Sequence, residues 1–271
     1  MKTTLPLARF RQPLTSLAAN LRFYSRLQIP AWLGKHLEAR GFDLAADVAL
    51  VPVSGGIIGV CGALGLLLAR GLGLSAPLSA LVAMACLVLV TGGLHEDGLA
   101  DVADGFGGGA DKAQKLKIMK DSRLGTYGAL ALGLSLAARI MLLANIAEHS
   151  FAEAALVLIG AAGVSRFAGL IPMILLKPAR TDGLGASLTK PGALGLRIGA
   201  VLALIAALLP MLAGADFGAV LAALAFALVA VYALTRLADR QIGGQTGDVA
   251  GAAQQLAEIA FLLAFVLKAR G

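Results

Sequence analysis

The chain has 271 residues, 58% of them hydrophobic and 14% charged, with a formal net charge of +7. A soluble domain carries about 25% charged residues, so this composition and a mean hydropathy of +0.84 exclude a water-soluble globular protein and indicate an integral membrane one. Positive charge on a soluble chain would point to nucleic acid; here the enrichment of Lys and Arg in cytoplasmic segments accounts for it, and no nucleic-acid partner is expected.

Residues 1–43 contain no apolar h-region, so they do not read as a cleaved signal peptide. Leu14, Leu17, Leu21, Tyr24 and Leu27 mark one helical face, Arg22 and Arg26 lie off it, and Trp32 and Leu33 follow Pro30. That pattern predicts an N-terminal amphipathic helix lying along the lipid headgroups. Phosphate binding by Arg26 is the other reading, and the interfacial helix is the preferred one.

Seven apolar segments follow, near 44–69, 77–94, 125–146, 152–176, 194–213, 217–235 and 252–267. A spanning helix needs about 20 residues, which makes the last segment marginal. The expected fold is all-α: a polytopic membrane bundle of about seven transmembrane helices, one domain over residues 44–271, preceded by the interfacial segment. The 34 glycines let helix backbones approach closely, so the bundle should be tightly packed. Cys61 and Cys86 both sit in apolar runs and read as small packing residues rather than a disulfide or metal site.

Basic residues set the orientation. With the N-terminus inside, segments 1–43, 95–124, 177–193 with Arg197, and 236–251 hold 18 of the 23 Lys and Arg residues. Arg70, Lys268 and Arg270 fall outside, and Arg139 and Arg166 lie within spans. The polar connections therefore belong on the cytoplasmic face. Lys268 and Arg270 fit badly, so either the seventh segment is re-entrant or a short basic tail is tolerated outside.

The first cytoplasmic connection, 95–124, carries the strongest chemical signal. Asp97, Asp101 and Asp104 are spaced i, i+4, i+7, which on a helix puts three mutually repelling carboxylates on one face. Such a face gains nothing structurally unless a cation sits among them, and an oxygen-rich set suits Mg²⁺. Mg²⁺ usually shares its ligands between carboxylates and substrate phosphates, so a phosphorylated substrate is expected. Lys117, Lys120 and Arg123 flank Asp121 and can neutralise a phosphate, while the Gly105–Gly109 run lets backbone approach an anion. His95, two residues before the first aspartate, is a candidate for proton transfer.

The second connection contains Arg180-Thr181-Asp182-Gly183, a turn whose Lys177, Arg180 and Lys190 can bind a diphosphate or orient helices. The third, Gly243-Gly244-Gln245-Thr246-Gly247-Asp248, suits a tight turn presenting backbone N–H groups; Asp248 can join the metal or cap the last helix. It lacks the ending of a P-loop. Arg139, Arg166 and Glu258 are ionisable residues inside spans and are functional candidates by default. An ion pair between Arg166 and Glu258 and anion binding by Arg166 are the two readings.

Together these motifs resemble the cobalamin synthase family of membrane-bound adenosylcobinamide-GDP ribazoletransferases. The resemblance is carried by Gly92 to Asp101 (GGLHEDGLAD), Asp104-Gly105, Met119 to Gly128 (MKDSRLGTYG), Arg180 to Gly185 (RTDGLG), Gly243 to Asp248 (GGQTGD) and an entry motif Phe23-Tyr24-Ser25-Arg26-Leu27. The family commonly has proline where this chain has Gln28. The resemblance implies a Mg²⁺-dependent reaction of adenosylcobinamide-GDP with α-ribazole or its 5′-phosphate, giving adenosylcobalamin or its phosphate and GMP. It implies a multi-pass protein of the bacterial inner membrane, embedded in the lipid bilayer with its active site facing the cytoplasm, and it allows a homo-oligomer. In that reading Asp97, Asp101 and Asp104 hold the metal. His95, Asp101 and Asp121 are the catalytic candidates, with Asp101 or His95 accepting the hydroxyl proton. Lys120, Arg123, Arg180, Asp182, Thr246, Asp248 and Arg166 bind the substrates. Asp-x-x-Asp-Gly at 101–105 is also similar in mechanism to the CDP-alcohol phosphotransferases, although the following Ala-Arg of that motif is absent. A transporter with broken helices is the alternative from another class.

Overall fold

The structure, a computed structural model, describes residues 7–30, 43–182 and 190–268; Trp32, Leu33, the Gly183-Leu184-Gly185 part of the second motif and Arg270 lie outside the described residues. Among the described residues every extended element is a helix, with a single isolated bridge between Pro178 and Gln245. The chain is thus an all-α bundle, as its composition dictates.

Helix α1 spans Leu7–Tyr24. After α2, Leu44–Asp47, a 3₁₀ turn leads into α3, Val51–Gly71, so that 44–71 forms one apolar stretch of 28 residues. Pro52 sits in the first turn of α3, where its missing N–H costs nothing. Next come α4 (Ala76–Thr91), α5 (Leu94–Gly108), α6 (Lys112–Ile118), α7 (Thr126–His149) and α8 (Phe151–Ala168). The short α9 (Ile171–Leu175) extends the α8 span to Leu175, and α10 (Ala193–Leu208), α11 (Phe217–Ile242) and α12 (Gly247–Lys268) complete the bundle.

Six stretches are long and apolar enough to cross a membrane, or seven if α4 and α5, bent by 89°, are counted as one broken span. The bend is the first departure from the sequence reading, which ended a segment at 94 and left 95–124 as a connection. Gly92 and Gly93 both adopt left-handed backbone, with φ of 69° and 73°. Side chains other than glycine's are strained there, and two such residues in succession cannot continue an α-helix. The acidic stretch therefore forms its own helix, turned across the end of the bundle. The second departure is at the C-terminal segment: α12 has 22 residues, beginning at Gly247 rather than near 252. It is not marginal, because Asp248 and the Gln254-Gln255 pair, which weaken its apolar signal, are inside the helix.

The glycine-rich spans pack as expected. A Cβ placed on Gly59 of α3 would lie 2.9 Å from the Cα of Ile159 on α8, and one on Gly163 would lie 2.9 Å from the Pro52 carbonyl. The windows of α8 and α12 are the most enclosed of the spans, 78% and 72% buried, so these two helices form the axis around which the others stand. Helix α1 docks differently from a purely interfacial helix. Asn20, Ser16 and Tyr24 are buried, the Asn20 amide donates to the Asp47 carbonyl at 2.8 Å, and Leu14 is left half exposed. The turns at 91–94, 118–126 and 242–247 and the described residues 175–182 gather at one end of the bundle, because the connections between spans alternate ends.

Candidate active site at the polar end of the bundle

Helix α5 meets the start of α12 backbone to backbone. A Cβ on Gly98 would lie 2.9 Å from the Asp248 carbonyl oxygen, so only glycine permits this approach. It brings the carboxylates of Asp97 and Asp101 toward that of Asp248. The negative charges of Asp97, Asp248 and Asp104 all act on Asp101, and the Arg180 guanidinium opposes them.

Arg180 is put there by main-chain pairing between two distant loops. Ala179 N–H donates to the Gln245 carbonyl and Gln245 N–H donates to the Lys177 carbonyl, both at 2.9 Å. The second and third polar connections are thereby zipped together, leaving Arg180 Nη2 3.5 Å from Asp248 Oδ2 and Nη1 buried without a partner among the described residues. Thr246 Oγ1 donates to Asp248 Oδ2 at 3.1 Å and accepts from Val249 N–H at 3.3 Å. The cap of α12 is thus Thr246, which frees Asp248 to face the site.

Asp104 is engaged elsewhere. Its two oxygens accept N–H groups of Gly125 at 2.7 Å and Gly128 at 2.8 Å, so it anchors the first turn of α7 in the usual place for an anion. Being on the same face as Asp97 and Asp101 told where it points, not what it meets. Among the described residues no three His, Cys, Asp or Glu side chains form a self-sufficient metal cluster.

Asp121, expected as a catalytic group, is held by Arg123 Nε and Nη2 at 3.0 and 2.6 Å. Those hydrogen bonds hold its pKa down at about 2, and so weak a base is a poor proton acceptor near neutral pH. Lys120 pairs with Asp182, holding that carboxyl below its usual range and tying the 119–125 turn to the second connection.

Three spaces share Asp97 as a common wall. A cavity of about 160 Å³, the most enclosed of the three, is lined by Tyr24, His95, Arg166, Met173, Arg180 and Asp248, among others. A cleft of about 420 Å³ is lined by Asp101, Lys120, Asp121 and Arg123, and an open groove of about 530 Å³ by Arg26, Gly92 and Glu96. The structure thus brings Asp97, Asp101, Asp248, Arg180 and His95 to one place, and sets Lys120 and Arg123 across the cleft. The ring of His95 is buried and stacked on Tyr24, centroids 5.7 Å apart and planes within 10°.

Behind the site runs a buried polar network that sequence reasoning missed. Arg139 on α7 donates to Glu96 on α5 at 2.9 Å and to Glu258 on α12 at 3.4 Å. Gln255 donates to Glu96 at 3.3 Å, and Gln254 donates to Glu258 at 2.7 Å. Glu258 therefore pairs with Arg139, not with Arg166 as the sequence reading allowed. Arg166 donates to the Ala162 carbonyl at 3.0 Å and lines the enclosed cavity. The signal that could have exposed the network is Gln254 and Glu258 at i, i+4 in an otherwise apolar helix, with Arg139 needing a partner.

The chain matches a family model described as cobalamin-5-phosphate synthase over residues 16–266. The adenosylcobinamide-GDP ribazoletransferase of Azorhizobium caulinodans is 48% identical over 97% of this chain and 99% of that protein. Proteins of the same name from Xanthobacter autotrophicus and Mesorhizobium japonicum are 46% and 44% identical, each over 93% of this chain and over 95% and 93% of their own lengths. No solved structure matches.

Proposed function

The chain belongs to the cobalamin-5-phosphate synthase family, and we propose that the bundle end around Asp97 is where it carries out the family's reaction. It is a membrane enzyme of cobalamin biosynthesis that joins adenosylcobinamide-GDP to ribazole. The observation that carries the location is that one carboxylate, Asp97, walls three separate spaces. Two substrates can then meet across it, one from the enclosed cavity and one from the cationic cleft.

The chemistry is a phosphoryl transfer in which positioning and charge neutralisation do most of the work. A secondary ribose hydroxyl of ribazole, the 5′ position being already esterified in ribazole 5′-phosphate, attacks the phosphorus on the cobinamide side of the diphosphate. A new O–P bond forms, the bond to the bridging oxygen breaks, and GMP leaves with that oxygen. Asp101, one turn beyond Asp97 and within the influence of Asp248, takes the hydroxyl proton. Arg180 and Lys120 hold diphosphate oxygens from opposite sides, Lys120 being held in turn by its pairing with Asp182.

The donor set fits Mg²⁺ in its usual form, one or two carboxylates with the remaining ligands from water and substrate phosphates. Asp97 and Asp101 would hold it, Asp248 beside them. Bound there, Mg²⁺ would neutralise charge developing on the diphosphate. The same end of the bundle carries Lys112, Lys115, Lys117, Lys120, Arg123 and Arg180, which supports a cytoplasmic orientation for the site. Removing divalent cations with chelator should abolish turnover and added Mg²⁺ restore it; full turnover in chelator would overturn the metal assignment.

A further inference from the structure

We propose that the enclosed cavity beside Asp97 is the seat of the aromatic base of ribazole, with the ribose directed toward the carboxylates at its mouth. The proposal rests on the reading of the reaction given above and goes beyond it by assigning one substrate to one space. Size is the first argument. A cavity of about 160 Å³ is on the scale of a small ring system, an apolar cavity of about 150 Å³ taking up benzene, and its open side leaves room for a second fused ring. The corrinoid macrocycle is much too wide to enter it. Of the groups the two substrates bring, only a flat base is on this scale.

Lining is the second argument. Leu44, Leu170 and Met173 line the cavity and are buried, as is the stacked pair of Tyr24 and His95. Guanine, the other candidate, has donors and acceptors around its whole edge, and those facing Leu44, Leu170 and Met173 instead of the polar lining residues would be left unpaired, at a cost of about 1–3 kcal/mol for each buried group. The dimethylbenzimidazole of ribazole has an apolar methylated edge and one unsubstituted ring nitrogen, an acceptor. Arg166 lines the same cavity, is only 4% exposed, and its Nε has no partner among the described residues. A buried guanidinium whose hydrogen bonding is incomplete is suited to an acceptor or to the face of an aromatic ring. Asp97, Asp248 and Arg180 belong to the same lining, so a base seated inside carries its ribose hydroxyls toward the groups that would act on them.

The test is equilibrium binding of α-ribazole to the purified full-length protein without corrinoid, comparing wild type with Met173→Phe. Met173 is 8% exposed, and the larger ring would fill the cavity. The expected result is that wild type binds α-ribazole, that α-ribazole 5′-phosphate competes because it carries the same base, and that Met173→Phe weakens both by about tenfold or more. The Michaelis constant for adenosylcobinamide-GDP should stay within about twofold under the same change. Should Met173→Phe fail to fold, Leu170→Ala enlarges the same cavity, and it should favour a base bulkier than dimethylbenzimidazole. No ribazole binding to wild type, unaltered binding in the folded variant, or an equal rise in both Michaelis constants would overturn the proposal. If ribazole binds as described but GMP is never released from adenosylcobinamide-GDP, the assignment of the reaction falls and that of the cavity stands.

Discussion

Arg139 on α7 donates a hydrogen bond to Glu96 on α5 at 2.9 Å, and its other terminal nitrogen reaches Glu258 on α12. One guanidinium, 1% exposed, thus ties the start of the acidic helix to two spans. Breaking a buried pair by removing one partner leaves an uncompensated charge and costs about 3–5 kcal/mol. Arg139→Ala should therefore lower thermal stability in detergent by that order and displace Asp97, the next residue after Glu96. Thermal unfolding of the purified variant checks this, and an unchanged midpoint would contradict it.

Asp104 should behave as a helix anchor and not as a metal ligand. Asp104→Asn keeps one acceptor but turns a donor toward a backbone N–H, a loss of about 1–3 kcal/mol. The Mg²⁺ concentration for half-maximal activity should stay put in Asp104→Asn while the melting midpoint drops. Asp101→Asn should do the reverse. A shifted Mg²⁺ requirement in Asp104→Asn would return that residue to the metal site.

Gly98 has no room for a methyl group, its Cβ position lying 2.9 Å from the Asp248 carbonyl. Gly98→Ala should force α5 away from α12, with an overpacking cost of about 1–3 kcal/mol. Because Asp97 and Asp248 are on the two sides of that contact, kcat should fall by a larger factor than stability alone explains. Activity at the wild-type level would mean the two carboxylates do not act together.

Lys120 should contribute to one substrate only. Lys120→Ala removes a charge-assisted contact to phosphate and should raise the Michaelis constant for adenosylcobinamide-GDP by roughly tenfold. That for ribazole should be unaffected, because Lys120 lines the cleft and not the enclosed cavity. Equal effects on both substrates would show that the residue only supports the fold.

Much of this was legible in the chain. Apolar runs gave the spans, and the spacing of Asp97 and Asp101 pointed to the site. What periodicity could not supply was what each side chain meets. Asp104 shares a face with Asp97 yet meets the first turn of α7. Glu258 finds Arg139 and not Arg166, because the rotation of α7 against α12 is set by packing. The pairing of Ala179 with Gln245 joins residues far apart in sequence, and no local pattern records it. The bend at Gly92-Gly93 was written in two glycines, but glycine is so common in these spans that the pair did not stand out.

Asp97 is the residue on which the proposed reaction depends. Purified protein with Mg²⁺ and adenosylcobinamide-GDP should release GMP only when α-ribazole is added. Asp97→Asn, inserted normally in the membrane, should lose on the order of a hundredfold or more of that rate. GMP release without α-ribazole, or wild-type turnover by Asp97→Asn, would contradict it.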